Sequence, residues 1–460
     1  MRHHREVFAL AALSSVRTAG GVAVEVRPAL RTRDIVRFHL PLAVTFLSYG
    51  IVFNIINASM SQTRDAAIAL AAFAVGQSIV DLFAGPAGSG NQWLIARGRD
   101  RRSFVVGVRV MLEIALGVTT LLALVAFTPA GKWLYQGVFG APARLSDEIT
   151  TVIKFGLPLP IMWAWRNVSQ SILMLRRQTH FMTVGVFLRL GTVWGLSLLL
   201  GGQSWVQGAG LGAVLWVAGM TVEAVFAFAV ASRAFRGLPA EPASGVLPAR
   251  SSVWRFLVPL MATGLLWAVA RPFANAAMAR TLDPERSIAA FQVAWFASFL
   301  LVALQVEFRQ VMVVFWADRQ SLAALRRFGL YLSGALSCLT LLLGITGAAA
   351  WFMRTVLGTP EELVSLANKV FIVAALGPVL WMLTELQVGQ LLRNGMTTVI
   401  GMAKTVNLVV MGTLMFSLVA LYPGLGALVG AIGHIGGAAA EAGVTYWFGR
   451  KVSAEPIGDD

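Results

Sequence analysis

The chain has 460 residues, of which 57% are hydrophobic and only 13% charged, with a formal net charge of +15. A soluble protein of this size needs a polar shell, so the balance excludes a globule surrounded by water and puts lipid around the core. The basic residues lie in loops between apolar stretches, the pattern that sets orientation in a bilayer, and this excludes a nucleic-acid surface.

Residues 1–36 carry His3, His4, Arg5, Arg17, Arg27, Arg31 and Arg33 around one short apolar patch, Val7 to Leu13. They read as a cytoplasmic arm, because that patch is short for a signal sequence. Six apolar stretches follow, at about 37–60, 66–86, 103–128, 148–174, 180–200 and 208–233, each long enough to cross a hydrocarbon core of about 30 Å. They make an N-lobe over 37–233. The interruption from Arg233 to Ser252, with Pro239, Pro242 and Pro248, reads as a cytoplasmic linker over 234–253. Six more stretches, at about 254–279, 287–314, 325–350, 363–391, 397–420 and 425–448, fill a C-lobe over 254–448, ahead of a cytoplasmic tail at 449–460. The expected fold is an all-α polytopic membrane protein of about twelve transmembrane helices in two six-helix lobes.

Loop charges orient it. Arg97, Arg99, Arg101 and Arg102 follow the second span, Arg176 and Arg177 the fourth, and Arg233, Arg236 and Arg250 the sixth. Arg319, Arg326 and Arg327 follow the eighth, Arg393 the tenth, and Arg450 and Lys451 the last. All share a side with the basic arm, so both termini are expected in the cytoplasm and the chain in the inner (plasma) membrane.

The two halves repeat at a constant offset of 218 residues. Arg37-Phe38 and Pro41-Leu42 return as Arg255-Phe256 and Pro259-Leu260; Asn57, Met60, Thr63 and Asp65 return as Asn275, Met278, Thr281 and Asp283. Pro160 and Trp163 return as Pro378 and Trp381, and Gly208, Gly212, Gly219 and Glu223 as Gly426, Gly430, Gly437 and Glu441. Six spans per copy make the repeats parallel, and transporters built this way hold substrate near the midplane between halves that rock.

Ionisable residues inside spans are expensive and are default site candidates. Here they are Asp81, Glu113, Lys154, Arg166, Arg189, Glu223, Arg271, Glu307, Arg309, Glu385, Lys404 and Glu441. Arg271 lies deep in the seventh span beside Pro272, and its guanidinium offers a fork for carboxylate or phosphate. The structural alternative pairs it with Glu307 or Asp81 to hold helices together. Arg166 and Lys154 would extend a positive cavity from the first lobe, and Arg309 joins them as a candidate substrate contact. Asn57 and Asn275, repeat-related, would face each other across the lobes or serve as helix glue. Glu307, Asp81 and Glu385 are the candidate coupling or charge-partner groups; Glu223 and Glu441, kept in both copies, read as structural. Pro272, Pro378, Gly85 and Pro86 are candidate hinges, and His434 reads as packed.

The sequence has no phosphate-binding loop, His-Glu-x-x-His or Cys-x-x-Cys, and its single cysteine, Cys338, allows no internal disulfide. No enzyme activity, metal or cofactor is expected, and no nucleic-acid partner. A monomer coupled to a proton or sodium gradient, or driven by the solute's own gradient, is the expectation.

Four segments carry a family likeness: Phe38-x-x-Pro41-Leu42, Phe83-Ala84-Gly85-Pro86, Arg271-Pro272-x-x-Asn275-x-x-x-x-Arg280 and Glu307-Phe308-Arg309. With two six-helix lobes, they resemble the MOP superfamily of MATE exporters and lipid-linked oligosaccharide flippases, and within it most of all the progressive ankylosis exporters. That resemblance implies a secondary transporter of alternating access, exporting small organic or phosphate-bearing anions such as citrate, ATP or pyrophosphate. A flippase for an anionic lipid-linked substrate, a MATE-type multidrug exporter and a non-transporting scaffold are the alternatives. Span one departs from both other branches, lacking the acid of MATE exporters and the early arginines of lipid flippases.

Overall fold

The structure, a computed structural model, describes residues 30–451 except 64, 139–142, 201–202, 204–207, 243–244 and 358, and the backbone of 14–17 and 23–26. Within the helices, the side chains of residues 49, 67, 138, 267–269, 271–272 and 285 lie outside the described set. A two-stranded antiparallel hairpin (Ser14–Arg17 with Ala23–Val26) precedes the membrane part.

Among the described residues after it, the regular structure is helical, as the bilayer requires: with no water in the core, backbone amides and carbonyls must pair within each segment. The first half contains α1 (Thr32–Met60), α2 (Ala66–Gly88), α3 (Gly90–Arg97), α4 (Arg101–Phe127), α5 (Pro129–Lys132), α6 (Ser146–Gly156), α7 (Leu159–Leu175), α8 (His180–Leu200) and α9 (Gly208–Phe235). The second contains α10 (Arg250–Met278), α11 (Pro284–Val302), α12 (Phe308–Phe315), α13 (Arg319–Ile345), α14 (Ala348–Thr355), α15 (Glu361–Val373), α16 (Gly377–Arg393), α17 (Thr397–Leu421) and α18 (Leu428–Gly449). Each expected crossing is helical, and eight helical segments are long and apolar enough to span by length and composition alone.

The sequence repeat is a structural repeat. The bounds of α1, α3, α4 and α7 return 218 residues later as those of α10, α12, α13 and α16. Caps return as well: Asp100 accepts from the Ser103 amide at 2.8 Å to start α4, and Asp318 accepts from the Ser321 amide at 2.7 Å to start α13. Both halves break the same crossings at the same register, at Ser89 and at 303–307, and at 157–158 and 374–376.

The breaks correct part of the hinge expectation. Pro86 lies inside α2, which continues to Gly88, and no neighbouring atom would meet a Cβ at Gly85. The α10 backbone runs helical through Pro272, without the expected break there. Pro378 does follow a break: it opens α16, and its carbonyl accepts from Gln305 Nε2 at 2.7 Å.

Lipid supplies no hydrophobic drive between helices, so small residues set how closely they pack. A Cβ on Gly212 would stand 2.6 Å from Met60 Sδ and 2.8 Å from the Phe73 ring. A Cβ on Gly430 would stand 3.1 Å from Met278 Sδ and 2.7 Å from the Phe291 ring. All three members of the second triad lie 218 positions after the first.

Three cores result. One spans both halves at the end that carries both termini, joining Ile35, Phe38 and Leu42 with Phe256, Leu257, Phe308 and Phe315. There Phe38 meets Phe315 edge-on at 5.1 Å, and His39 Nε2 lies 2.7 Å from the Leu304 carbonyl of the other half. At the distal end the cores are separate, one within the first half around Ile56, Phe73 and Trp216, the other within the second around Met278, Phe291 and Met415. The halves therefore close against each other at the terminal end, and each keeps its own core at the distal end.

Candidate functional site

A cavity of about 310 Å³ lies between the halves, at the level where the crossings break. The first half contributes Phe46 and Phe53 from α1, Asp81 from α2, Trp163 from α7 and Trp216 from α9; the second contributes Phe296 and Phe299 from α11. Phe46 and Phe299 meet across the halves at 5.7 Å, and Phe53 stands edge-on to Trp216 at 5.6 Å. Asp81 is the charged residue of this lining; Gln77 Nε2 donates to its Oδ2 at 3.3 Å, and no ion pair reaches it among the described residues. An aromatic box with one carboxylate favours a solute with an apolar face and a positive or proton-donating group, through ring quadrupole and charge together.

A second cavity of about 140 Å³ lies within the second half and shares Phe299 with the first. Arg309, Glu385, Lys404, Glu441 and His434 line it. The Arg309 amide and Nε donate to Glu385 Oε2 at 3.1 and 2.8 Å, and Arg309 Nη2 donates to Oε1. Lys404 Nζ and Asn407 Nδ2 donate to Glu441 Oε2 at 2.7 and 2.6 Å. A bidentate guanidinium–carboxylate pair is strong and directional, so Arg309 serves Glu385 in this state.

The first half has the corresponding knot. Arg189 Nη1 and Arg166 Nη1 reach Glu223 at 2.7 and 3.5 Å, Gln170 Nε2 donates to it at 3.2 Å, and Arg189 Nη2 donates to Ser48 at 2.5 Å. Glu223 is 1% exposed, which only a fully partnered carboxylate tolerates.

The other expected residues divide as follows. Arg166 and Arg309 face glutamates within their own halves and do not line the cavity between them. Lys154 is exposed, its ammonium 5.3 Å from the centre of the Phe127 ring, and extends no positive cavity. Asn57 is exposed and Asn275 accepts from Gln292 at 3.3 Å, so the two make no described contact. Glu307 is half-buried at the cap position of α12 and bonds no cap amide. The side chains of Arg271 and Pro272 lie outside the described residues; in the repeat, Arg271 holds the register of cavity-lining Phe53. His434 packs against Trp295 at 4.5 Å and bonds its own helix through Nδ1, as expected of a packed histidine. The aromatic box itself was not anticipated; of its members only Trp163 carried a signal, by its return as Trp381.

No family model matches the sequence, and no curated protein does. Solved structures do. A MOP superfamily transporter from Pyrococcus furiosus, described as having a binding pocket of reverse polarity, superposes with a TM-score of 0.72 at 16% identity, covering 91% of this chain and 95% of that one. The outward-facing conformation of a multidrug resistance MATE family transporter gives 0.72 at 15% identity over the same shares. A MATE structure in complex with MaD3S gives 0.69 at 16% identity, again covering 91% and 95%. The twelve-helix, two-lobe architecture of this chain is therefore the fold of the MOP-superfamily MATE transporters.

Proposed function

We propose that the chain is a secondary transporter working by alternating access, with its solute held between the halves beside Asp81. The observation that carries this reading is the core arrangement: one core bridges the halves at the terminal end, and two independent cores lie at the distal end. Rocking the halves would exchange these arrangements without disturbing either half's interior. The loop arginines support a terminal end on the cytoplasmic side. The state described is then outward-facing, at the point of releasing solute from the cell.

The solute class that suits the described lining is an amphipathic organic molecule with a positive charge. Six aromatic rings and one carboxylate line this cavity, while the described cations deeper in each half already serve glutamates. A second reading keeps the small organic or phosphate-bearing anion, and rests on Arg271 standing in the register of Phe53. Proteoliposomes with an imposed proton or sodium gradient separate the two. Tetraphenylphosphonium flux lost in Asp81→Asn and kept in Arg271→Ala supports the cationic solute. Labelled citrate, ATP or pyrophosphate flux with the opposite dependence supports the anion. Flux of none of these probes by well-folded protein overturns both solute classes.

A further inference from the structure

The larger cavity of about 920 Å³ is not in the proposed solute path; it lies at the terminal end, under the linker, where the halves meet. Arg97 and Arg99 reach it from the first half, Arg255 and Thr398 from the second, and Pro239, Pro242 and Pro248 of the linker roof it. The roof is fastened. The Arg101 amide donates to the Pro239 carbonyl at 2.8 Å, its Nε to Leu238 at 3.0 Å and its Nη2 to Arg236 at 2.7 Å, while Arg176 Nη1 reaches Gly237 at 3.2 Å.

Arginines outnumber acids in this lining, Arg97, Arg99 and Arg255 against Asp100 and Glu241. The two acids of the lining are engaged elsewhere: Asp100 caps α4, and Glu241 pairs with Arg102 at 3.1 Å. Arg97 and Arg255 form no ion pair among the described residues. Arg97 crosses the seam, its Nη2 being 3.3 Å from where a Cβ on Gly395 would stand. Two helices also begin here without a side-chain cap, α10 after Ala249 and α17 after Met396, adding unpaired amides to the guanidinium groups. Guanidinium groups lining one cavity beside helix starts that lack a side-chain cap suit phosphate oxygens.

We propose that this seam cavity binds a phosphate-bearing ligand, a free polyphosphate or an anionic lipid headgroup, that bridges the halves and favours the state open at the distal end. A ligand touching Arg97 and Arg255 together requires the terminal end to be closed, so it shifts the equilibrium by its differential affinity for that state. The site is separate from the cavity that Asp81 lines.

The test uses the full chain in phosphatidylcholine nanodiscs, with Cys338→Ser and spin labels at Gln62→Cys and Leu282→Cys on the distal ends. Inorganic pyrophosphate is titrated in one arm, and phosphatidylglycerol replaces part of the lipid in the other. The expected result is growth of the long-distance population in at least one arm; a response to pyrophosphate alone assigns a free phosphate, and to the lipid alone a headgroup. Arg97→Gln with Arg255→Gln should raise the concentration needed by about a hundredfold, two charge-assisted contacts at about tenfold each. Thr398→Asp, an exposed substitution, should weaken the response in the same direction. No shift in either arm, or a shift that survives both seam variants, overturns the proposal.

Discussion

Glu223 and Glu441 stand at the same register of the two halves, and each gathers donors from neighbouring helices of its own half. Glu223 holds Arg189 and Arg166; Glu441 holds Lys404 and Asn407, and Asn407 is the repeat counterpart of Arg189. The knots tie helices together within each half.

Removing one carboxylate strands buried charge, and breaking a buried pair this way costs about 3–5 kcal/mol. Glu223→Gln should therefore lower the thermal midpoint sharply in detergent, because Arg189 and Arg166 are 3% and 6% exposed. Glu441→Gln should cost less, since Lys404 is 21% exposed and has a path to water. Equal losses, or the reverse order, would show that the two knots differ in some other way.

The knots also mark how far the sequence could be read. Hydropathy located helical segments throughout, and the repeat named Glu223 and Glu441 as structural, because a residue kept by both copies serves what the copies share. The partners were not legible. Arg309 and Glu385 are 76 residues apart, on α12 and α16, and only the fold brings them together. In the first half their registers hold Asn91 and Asn167, so the repeat gave no signal for that pair. The breaks were misplaced for a related reason: proline marks a candidate kink, but Pro86 and Pro272 sit in continuous helix, while Ser89 and 303–307 interrupt without one.

The glycine triads make a packing prediction. Val at position 212 would drive a branched side chain into Met60 and Phe73, and Val at 430 into Phe291 and Met278. Overpacking of this kind costs about 1–3 kcal/mol. Gly212→Val and Gly430→Val should lower the detergent melting temperature by similar amounts. Gly117→Val, where no atom lies within 4 Å, should be nearly neutral.

In the cavity between the halves, Asp81→Asn keeps the shape and removes the charge. On the cationic reading it should raise the KM for tetraphenylphosphonium about tenfold or more, the scale of one charged contact. Trp163→Ala should weaken the same solute through lost ring surface, by roughly fivefold for one cation–π contact of about 1 kcal/mol. Flux assays in proteoliposomes measure both; unchanged kinetics in the two variants would move the solute away from this box.

Arg177 ties backbone strain to the seam. It takes the left-handed conformation, φ 54°, at the end of α7, where the second half places Gly395 at φ 70°. Both close the same turn: Gln178 donates to the Leu173 carbonyl at 2.7 Å and Met396 to Leu391 at 2.8 Å. A non-glycine residue there costs about 1 kcal/mol. What it gains is contact across the halves, its guanidinium lying 4.4 Å from the Phe315 ring centre. Arg177→Gly relieves the strain but frees the unfolded chain by a similar amount, so the melting temperature should fall only by what the lost contact across the halves contributes. The cation–π contact, worth about 0.5–1 kcal/mol, disappears, and the population open at the distal end should fall by about two- to fivefold in the spin-label distance assay. Arg177→Ala keeps the strain and loses the contact, so it should lower both stability and that population. A distal distance unchanged in both variants would show that Arg177 closes its turn and does nothing for the seam.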